Sequence, residues 1–189
     1  GGAKAVGFDI VFAEPDENSS LKTLAELSGD VRRLRVEDAR VARLLEKKRV
    51  AADTDGILAK SMAWAKNVTL GYFFHLNERD AAHLTPKDIA AVSGQIAGSR
   101  YTAVKTTGQT DERVLIRAYA AVPNLKLISQ AGENSGYFNA FPDPDGSIRW
   151  APLVIRFQDN YYAPLSLSLL LQYLDWPMLT LNLADFGVE

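Results

Sequence analysis

Apolar residues crowd together over residues 5–13, A-V-G-F-D-I-V-F-A, with one ionisable side chain, Asp9, in their midst. Such a near-continuous run has the pattern of a strand covered on both faces. A buried strand is therefore expected over residues 5–12, closed by Glu14-Pro15-Asp16, because proline cannot continue a sheet ladder. Residues 67–74, N-V-T-L-G-Y-F-F, predict a second buried strand, and residues 137–141, Y-F-N-A-F, a third.

Between the first two strands the apolar spacing changes to a helical period. Residues 18–20 offer caps for a short helix over 21–27, ended by Ser28-Gly29. Asp30 then caps a helix over 31–48, in which Val31, Leu34, Ala42 and Leu45 share one face. Arg32, Arg33, Arg35, Arg40, Glu46 and Lys47 lie mostly off that face, a basic side that reads as solvated rather than as a binding patch. Asp53-Thr54-Asp55-Gly56 opens another helix over 57–66. Strand, helices and strand in this order make a βαβ-like unit, whose default is a parallel sheet with a right-handed crossover.

Further on, Thr85-Pro86-Lys87-Asp88 combines an N-cap, a proline at the first helical position and a capping-box acid, so a helix to about Ile96 is expected, with Ile89, Val92 and Ile96 inward. Residues 98–110 read as a loop or short hairpin, and 113–121 fit no element well. Pro123-Asn124-Leu125 starts a short helix ending near Gly132. Within residues 147–162, two extended runs meet at Gln158-Asp159-Asn160 and predict a β-hairpin. Pro164 opens a helix over 165–174 whose leucines occupy most of its circumference and predict deep burial. Residues 178–183 suggest one more strand. The expected fold class is α/β: a mixed, mainly parallel central sheet with helices on both faces and a C-terminal β-hairpin plus helix.

Composition narrows the function classes. The 189 residues are 47% hydrophobic and 23% charged, with a net charge of −2, which suits one domain with a full core and gives no nucleic-acid footprint. Cysteine is absent, which removes disulfides and thiolate chemistry and leaves the redox compartment open. Residues 163–171 are too short an apolar stretch to span a bilayer.

Candidate chemistry gathers at strand ends. The pattern F-x-x-P-D occurs at Phe12 to Asp16 and again at Phe141 to Asp145. If the two strands run parallel, their tips meet at one sheet edge, where open α/β sheets bind ligands. Glu14, Asp16, Asp143 and Asp145 are therefore candidate ligand residues, with oxygens suited to a hard cation such as calcium or magnesium, although no EF-hand spacing is present and strand termination explains them equally. Arg149 is placed to pair with one of these acids or to meet an anionic ligand. Asp9 and Asn139 lie beneath the tips, and Asp9, if buried, must accept hydrogen bonds and so pin a neighbouring loop. On that reading Asp9→Asn costs about 1–3 kcal/mol without any ligand. His75 and His83 form no local metal pair and read as surface residues. Trp64, Trp150 and Trp176 read as core or interface anchors. No serine–histidine, P-loop or dinucleotide motif occurs.

Taken together, residues 2–12 with Glu14-Pro15-Asp16, Asn67-Val68 through Gly71, and Gly136 through Asn139 followed by Asp143-Pro144-Asp145-Gly146, Arg149, Pro152-Leu153 and the helix after Pro164 resemble the type-two CHASE domain, the cyclase- and histidine-kinase-associated extracytoplasmic sensory module. The resemblance implies a single sensory domain over residues 1–189, with N- and C-terminal elements of the full domain lying outside this chain. It implies an extracytoplasmic location, periplasmic or outside the cell, tethering by transmembrane helices beyond the chain, an unidentified small-molecule ligand, and control of a cytoplasmic cyclase, histidine or serine/threonine kinase, or diguanylate cyclase. A sheet edge left open further suggests a homodimer. No cofactor, nucleic-acid partner or catalytic residue is expected. The competing readings are a metal-assisted hydrolase using the acidic strand ends and a purely structural dimerisation module.

Overall fold

The protein is described from a computed structural model covering residues 2–17, 19–107, 115–184 and 187–188. In chain order the elements are β1 (Val6–Phe8), α1 (Ser19–Arg33), α2 (Ala39–Ala52), α3 (Thr54–Ala65), β2 (Val68–His75), α4 (Glu78–Ala81), α5 (Pro86–Gln95), a 3₁₀ turn (Ala97–Ser99), β3 (Val104–Thr106), β4 (Ile116–Ala118), β5 (Ala120–Val122), α6 (Lys126–Ala131), β6 (Asn134–Tyr137), β7 (Ile155–Phe157), β8 (Asn160–Tyr162), α7 (Leu165–Tyr173), β9 (Leu181–Ala184) and β10 (Gly187–Val188). The fold is mixed α/β.

The central sheet is organised around β2. Strands β1 and β6 both run parallel to it, and β5 pairs antiparallel with its end. Hydrogen bonding sorts the two edges by residue parity. The carbonyls of Asn67 and His75 accept from Val6 and Tyr119, whereas those of Val68 and Tyr72 accept from Glu133 and Phe138. Thus β1 and β5 share one edge of β2, and β6 takes the other.

Strand alternation then assigns the faces. Val68 and Leu70 join Ala59 and Met62 of α3 and Ile128 of α6 in one apolar cluster. Tyr72 and Phe74, further along the same face, pack with Ile96 and with Ile155, Phe157 and Tyr162, which belong to a second sheet of order β4-β7-β8. The opposite face carries Thr69, which donates to Gln172 of α7 at 2.7 Å. It also carries glycine where α7 comes closest: a Cβ at Gly136 would lie 2.4 Å from Leu165 Cα, and one at Gly7 3.1 Å from the Leu169 side chain. Helices therefore flank both faces. A third sheet, β10-β9-β3, packs Leu181 and Leu183 against Val154.

Several sequence expectations hold. The α5 capping box is formed by Thr85 and Asp88, with Pro86 in the first turn, and Ile96 is fully buried. The C-terminal hairpin is β7–β8, turning at Gln158, whose φ is +53°. Others need correction. The first strand is only Val6–Phe8, lies at a sheet edge and has no fully buried residue. Asp9 is exposed, because the chain leaves β2 after Phe8 and runs to α6, where the Leu125 N–H donates to the Phe12 carbonyl.

The helix expected over 31–48 is broken. Helix α1 continues through Ser28-Gly29 to Arg33, and α2 begins after Asp38, which caps it through Arg40 N–H. Arg35 takes the left-handed conformation between them, at φ +54°, so Leu34 points outward and is 76% exposed. The third strand is Asn134–Tyr137 rather than 137–141. In α7 the buried stripe is Leu165, Ser168 and Gln172, while most of the other leucines are only partly buried and Leu170 is half-exposed, so the helix is not deeply buried. The tryptophans are not core: Trp64 is 87% exposed, and Trp150 and Trp176 are also open to solvent. Of the stretch 113–121, which fits no expected element, residues 113–114 lie outside the described residues, as does Asn18, while the rest forms β4 and the start of β5.

Candidate functional site

Because β1, β2 and β6 are parallel, the segments that follow β1 and β6 emerge at the same end of the sheet, with β2 between them. Two asparagines shape this end. Asn139 Oδ1 accepts from the Phe74 N–H at 2.8 Å and its Nδ2 donates to the Phe74 carbonyl at 2.9 Å. A side-chain amide thus replaces the backbone ladder, which is why β6 stops at Tyr137 while the chain still follows β2. On the other edge Asn124 Nδ2 donates to the Gly71 carbonyl and its Oδ1 accepts from the Phe12 N–H, both at 2.8 Å. Asn124 fills the gap between β1 and β5 and holds the turn that leads to Glu14-Pro15-Asp16.

On the α7 side of the sheet, Asp9 and Asn139 border one open cavity of about 390 Å³. Its floor is Gly7 and Leu169, one wall is Leu165 and Ser166 at the start of α7, and the other is Ile148 and Trp150. The Trp150 wall is held from behind. Trp150 stacks on Phe141, with ring centroids 5.1 Å apart and planes at 25°. The Tyr137 hydroxyl donates to the Pro152 carbonyl at 2.6 Å, and the Tyr101 hydroxyl to the Leu153 carbonyl at 2.8 Å. Burial pushes the Tyr101 phenol up to about 12 and the Tyr137 phenol higher still, so both remain donors across the physiological range.

The charge in the cavity is Asp9. Parity on β1 sets its position, since Phe8 packs into the cluster beneath α3 while Gly7 faces α7, and Asp9 continues the Gly7 side into the opening. Ser166 adds a hydroxyl, and the first turn of α7 has no side-chain cap.

The other anticipated residues lie around this cavity without joining it. Arg149 Nη1 donates to Asp143 at 2.7 Å, and Nη2 to Asp145 at 2.8 Å. Arg149 and the Ser147 N–H hold the Asp145 carboxyl at about 2. The arginine is thus committed to the two acids of its own loop. Asp16 instead accepts from the Thr54 hydroxyl, and its N–H donates to Asp55 at the start of α3. Glu14 is exposed. Among the described residues no three His, Asp or Glu side chains come together as metal ligands, so the four acids expected to surround a cation are divided between two loops. His75 and His83 border a separate groove under α5, with Ile89 and Val92.

Comparison with known families decides the affiliation: residues 1–186 match the family model of the CHASE2 domain. The chain belongs to the CHASE2 family. CHASE2 domains are sensory extracellular domains of signalling receptors and are not themselves catalytic. No helix among the described residues of this CHASE2 domain is long and apolar enough to cross a membrane. No curated protein and no solved structure matches the chain.

Sequence reasoning missed Asn124, Trp150 and Leu169 as parts of the site. Asn124 carried a usable signal, a polar amide set between the apolar run that ends at Val122 and the helix it precedes. Trp150 carried none, since its partners depend on how residues 138–153 fold back over α7.

Proposed function

We propose that this chain is the extracytoplasmic sensory domain of a bacterial transmembrane receptor, and that the cavity bordered by Asp9, Asn139 and Trp150 is its ligand site. The reading rests on one observation above the rest: Asp9 is a carboxylate without an ion-pair or hydrogen-bond partner among the described residues, set in a mostly apolar cavity of about 390 Å³. A small ligand presenting a cationic group to Asp9 and an apolar or aromatic body to Ile148 and Trp150 complements both features. The cavity joins the end of β1, the loop after β6 and the start of α7, so an occupant would add contacts among three segments that α7 already touches at Gly7 and Gly136. Such a change in α7 is the element through which occupancy would reach the cytoplasmic output, a cyclase, a histidine or serine/threonine kinase, or a diguanylate cyclase.

Trp150 provides the readout. Titration with small aromatic and aliphatic amines is expected to shift Trp150 emission saturably, with the shift absent in Trp150→Phe and at least about tenfold weaker in affinity in Asp9→Asn. Saturable binding that ignores both substitutions would overturn the site. Among the described residues, the convergent acids that a metal-assisted hydrolase requires do not come together. We also propose that the chain forms a homodimer, through the open β1 edge or an apolar face.

A further inference from the structure

The helical hairpin α1–α2 stands apart from the sensory cavity and carries the most unbalanced charge in the chain. Between Val31 and Arg49 there are eight Lys or Arg residues against three Asp or Glu, in a chain whose net charge is −2. Among the described residues Arg33, Arg40 and Arg49 pair with neighbouring acids, Asp30, Asp38 and Glu46. Arg32, Arg35, Arg43, Lys47 and Lys48 make no ion pair among the described residues.

Apolar side chains stand among these cations. Helix α2 has no fully buried residue, and its half-buried positions Val41, Leu45 and Ala52 form one narrow stripe. At 100° per residue, Arg40, Arg43, Leu44 and Lys47 fall together on an exposed flank beside that stripe. Leu44, at the edge of this flank next to the stripe, is 57% exposed. The turn before α2 also exposes apolar side chains among cations: Leu34 lies between Arg33 and Arg35, and Val36 follows Arg35 ahead of Glu37 and Asp38.

We propose that the α1–α2 hairpin is a membrane-surface contact that lays Leu34, Val36 and Leu44 into the headgroup region of an anionic phospholipid bilayer, with Arg32, Arg35, Arg43, Lys47 and Lys48 on the lipid phosphates. Charge complementarity selects this occupant. A polyanion such as RNA would match the cations but gain nothing from three exposed aliphatic side chains, and these residues include no aromatic ring on which a base could stack. A protein partner would call for a concave or continuous apolar patch, whereas here single apolar residues alternate with unpaired cations. The inference does not depend on the ligand cavity or on any tether, since it concerns the surface of the chain itself.

The test is flotation of the 189-residue chain with vesicles of 30% phosphatidylglycerol in phosphatidylcholine, and with vesicles of phosphatidylcholine alone. The chain is expected to float with the anionic vesicles only, and to lose at least about tenfold in affinity between low salt and several hundred millimolar salt. Replacing Arg43, Lys47 and Lys48 together by Gln should weaken binding by about 100-fold, and Leu34→Ser with Leu44→Ser several-fold at unchanged charge. All five positions are exposed, so thermal unfolding should be unaltered in both variants. Equal binding to neutral vesicles, no binding to either, or binding that survives the triple Gln variant would overturn the proposal. So would anionic-vesicle binding indifferent to the Leu→Ser changes, which marks a general polyanion surface. Self-association abolished by the same substitutions, without vesicle binding, would assign the hairpin to a second copy of the chain instead.

Discussion

Asn139 satisfies both the N–H and the carbonyl of Phe74, so Asn139→Ala leaves two groups of one residue without partners. The expected cost is about 1–3 kcal/mol, measurable as a lower urea midpoint at unchanged slope. Asn139→Asp keeps the acceptor but cannot donate to the Phe74 carbonyl, and should fall between Asn139→Ala and the unaltered chain. The Asp145 carboxyl tests a different interaction. Its folded-state value of about 2 lies below the ordinary 3.8 because of Arg149 and the Ser147 N–H. Its contribution is therefore complete above pH about 4 and is lost as pH falls toward 2. Arg149→Gln should make thermal stability less sensitive to pH across that window, a slope readable from melting curves at successive pH values. A slope unchanged by the substitution would show that the loop pairing contributes nothing in solution. At this scale the sequence was only partly legible. Asn139 was singled out for its place near a strand end, and its partner could not be. Asp9 was misread as buried because an apolar run shows neither where a strand ends nor whether it lies at a sheet edge.

The elements meet most tightly where α7 crosses the sheet. At Gly136 an added Cβ would lie 2.4 Å from Leu165 Cα and 2.6 Å from its nitrogen, both backbone atoms that cannot swing aside. Gly136→Ala should push α7 away from the sheet and destabilise by about 1–3 kcal/mol. Gly94, in α5, has open space where its Cβ would be, so Gly94→Ala should be neutral or stabilising by up to about 1 kcal/mol. Opposite signs for the two substitutions in chemical denaturation would establish close approach, rather than glycine as such, as the constraint. Helix existence was readable from period and caps, most clearly in α5. Helix faces were less so. In α7 the sheet presents Thr69 and glycine, so Ser168 and Gln172 join Leu165 in the buried stripe, and Leu170 and Leu174 are left exposed. The break at Leu34 left no glycine or proline in the sequence, because Arg35 itself adopts the left-handed turn.

For the whole molecule, the α/β class and the parallel β1-β2 pair followed from the first two apolar runs and the βαβ order, whereas the third parallel strand is Asn134–Tyr137, a polar stretch that meets the expected run only at Tyr137. The resemblance to the sensory family agrees with the match over residues 1–186. The placement of the acidic tips did not follow. Parallel strands bring their ends to one side of the sheet, but each tip is then tied to its nearest partner, Arg149 for one and the start of α3 for the other. Homodimerisation is expected to appear as a concentration-dependent rise in mass by light scattering, and a strictly monomeric chain at the highest accessible concentration would count against it. The measurement closest to the central claim is a thermal-shift screen of small cationic and zwitterionic molecules on the unaltered chain, Asp9→Asn and Trp150→Ala in parallel. Compounds are expected whose stabilisation of the unaltered chain grows with the logarithm of concentration above Kd and disappears in Asp9→Asn, although that variant melts at the same temperature without ligand. Stabilising compounds whose effect survives both substitutions would contradict that claim.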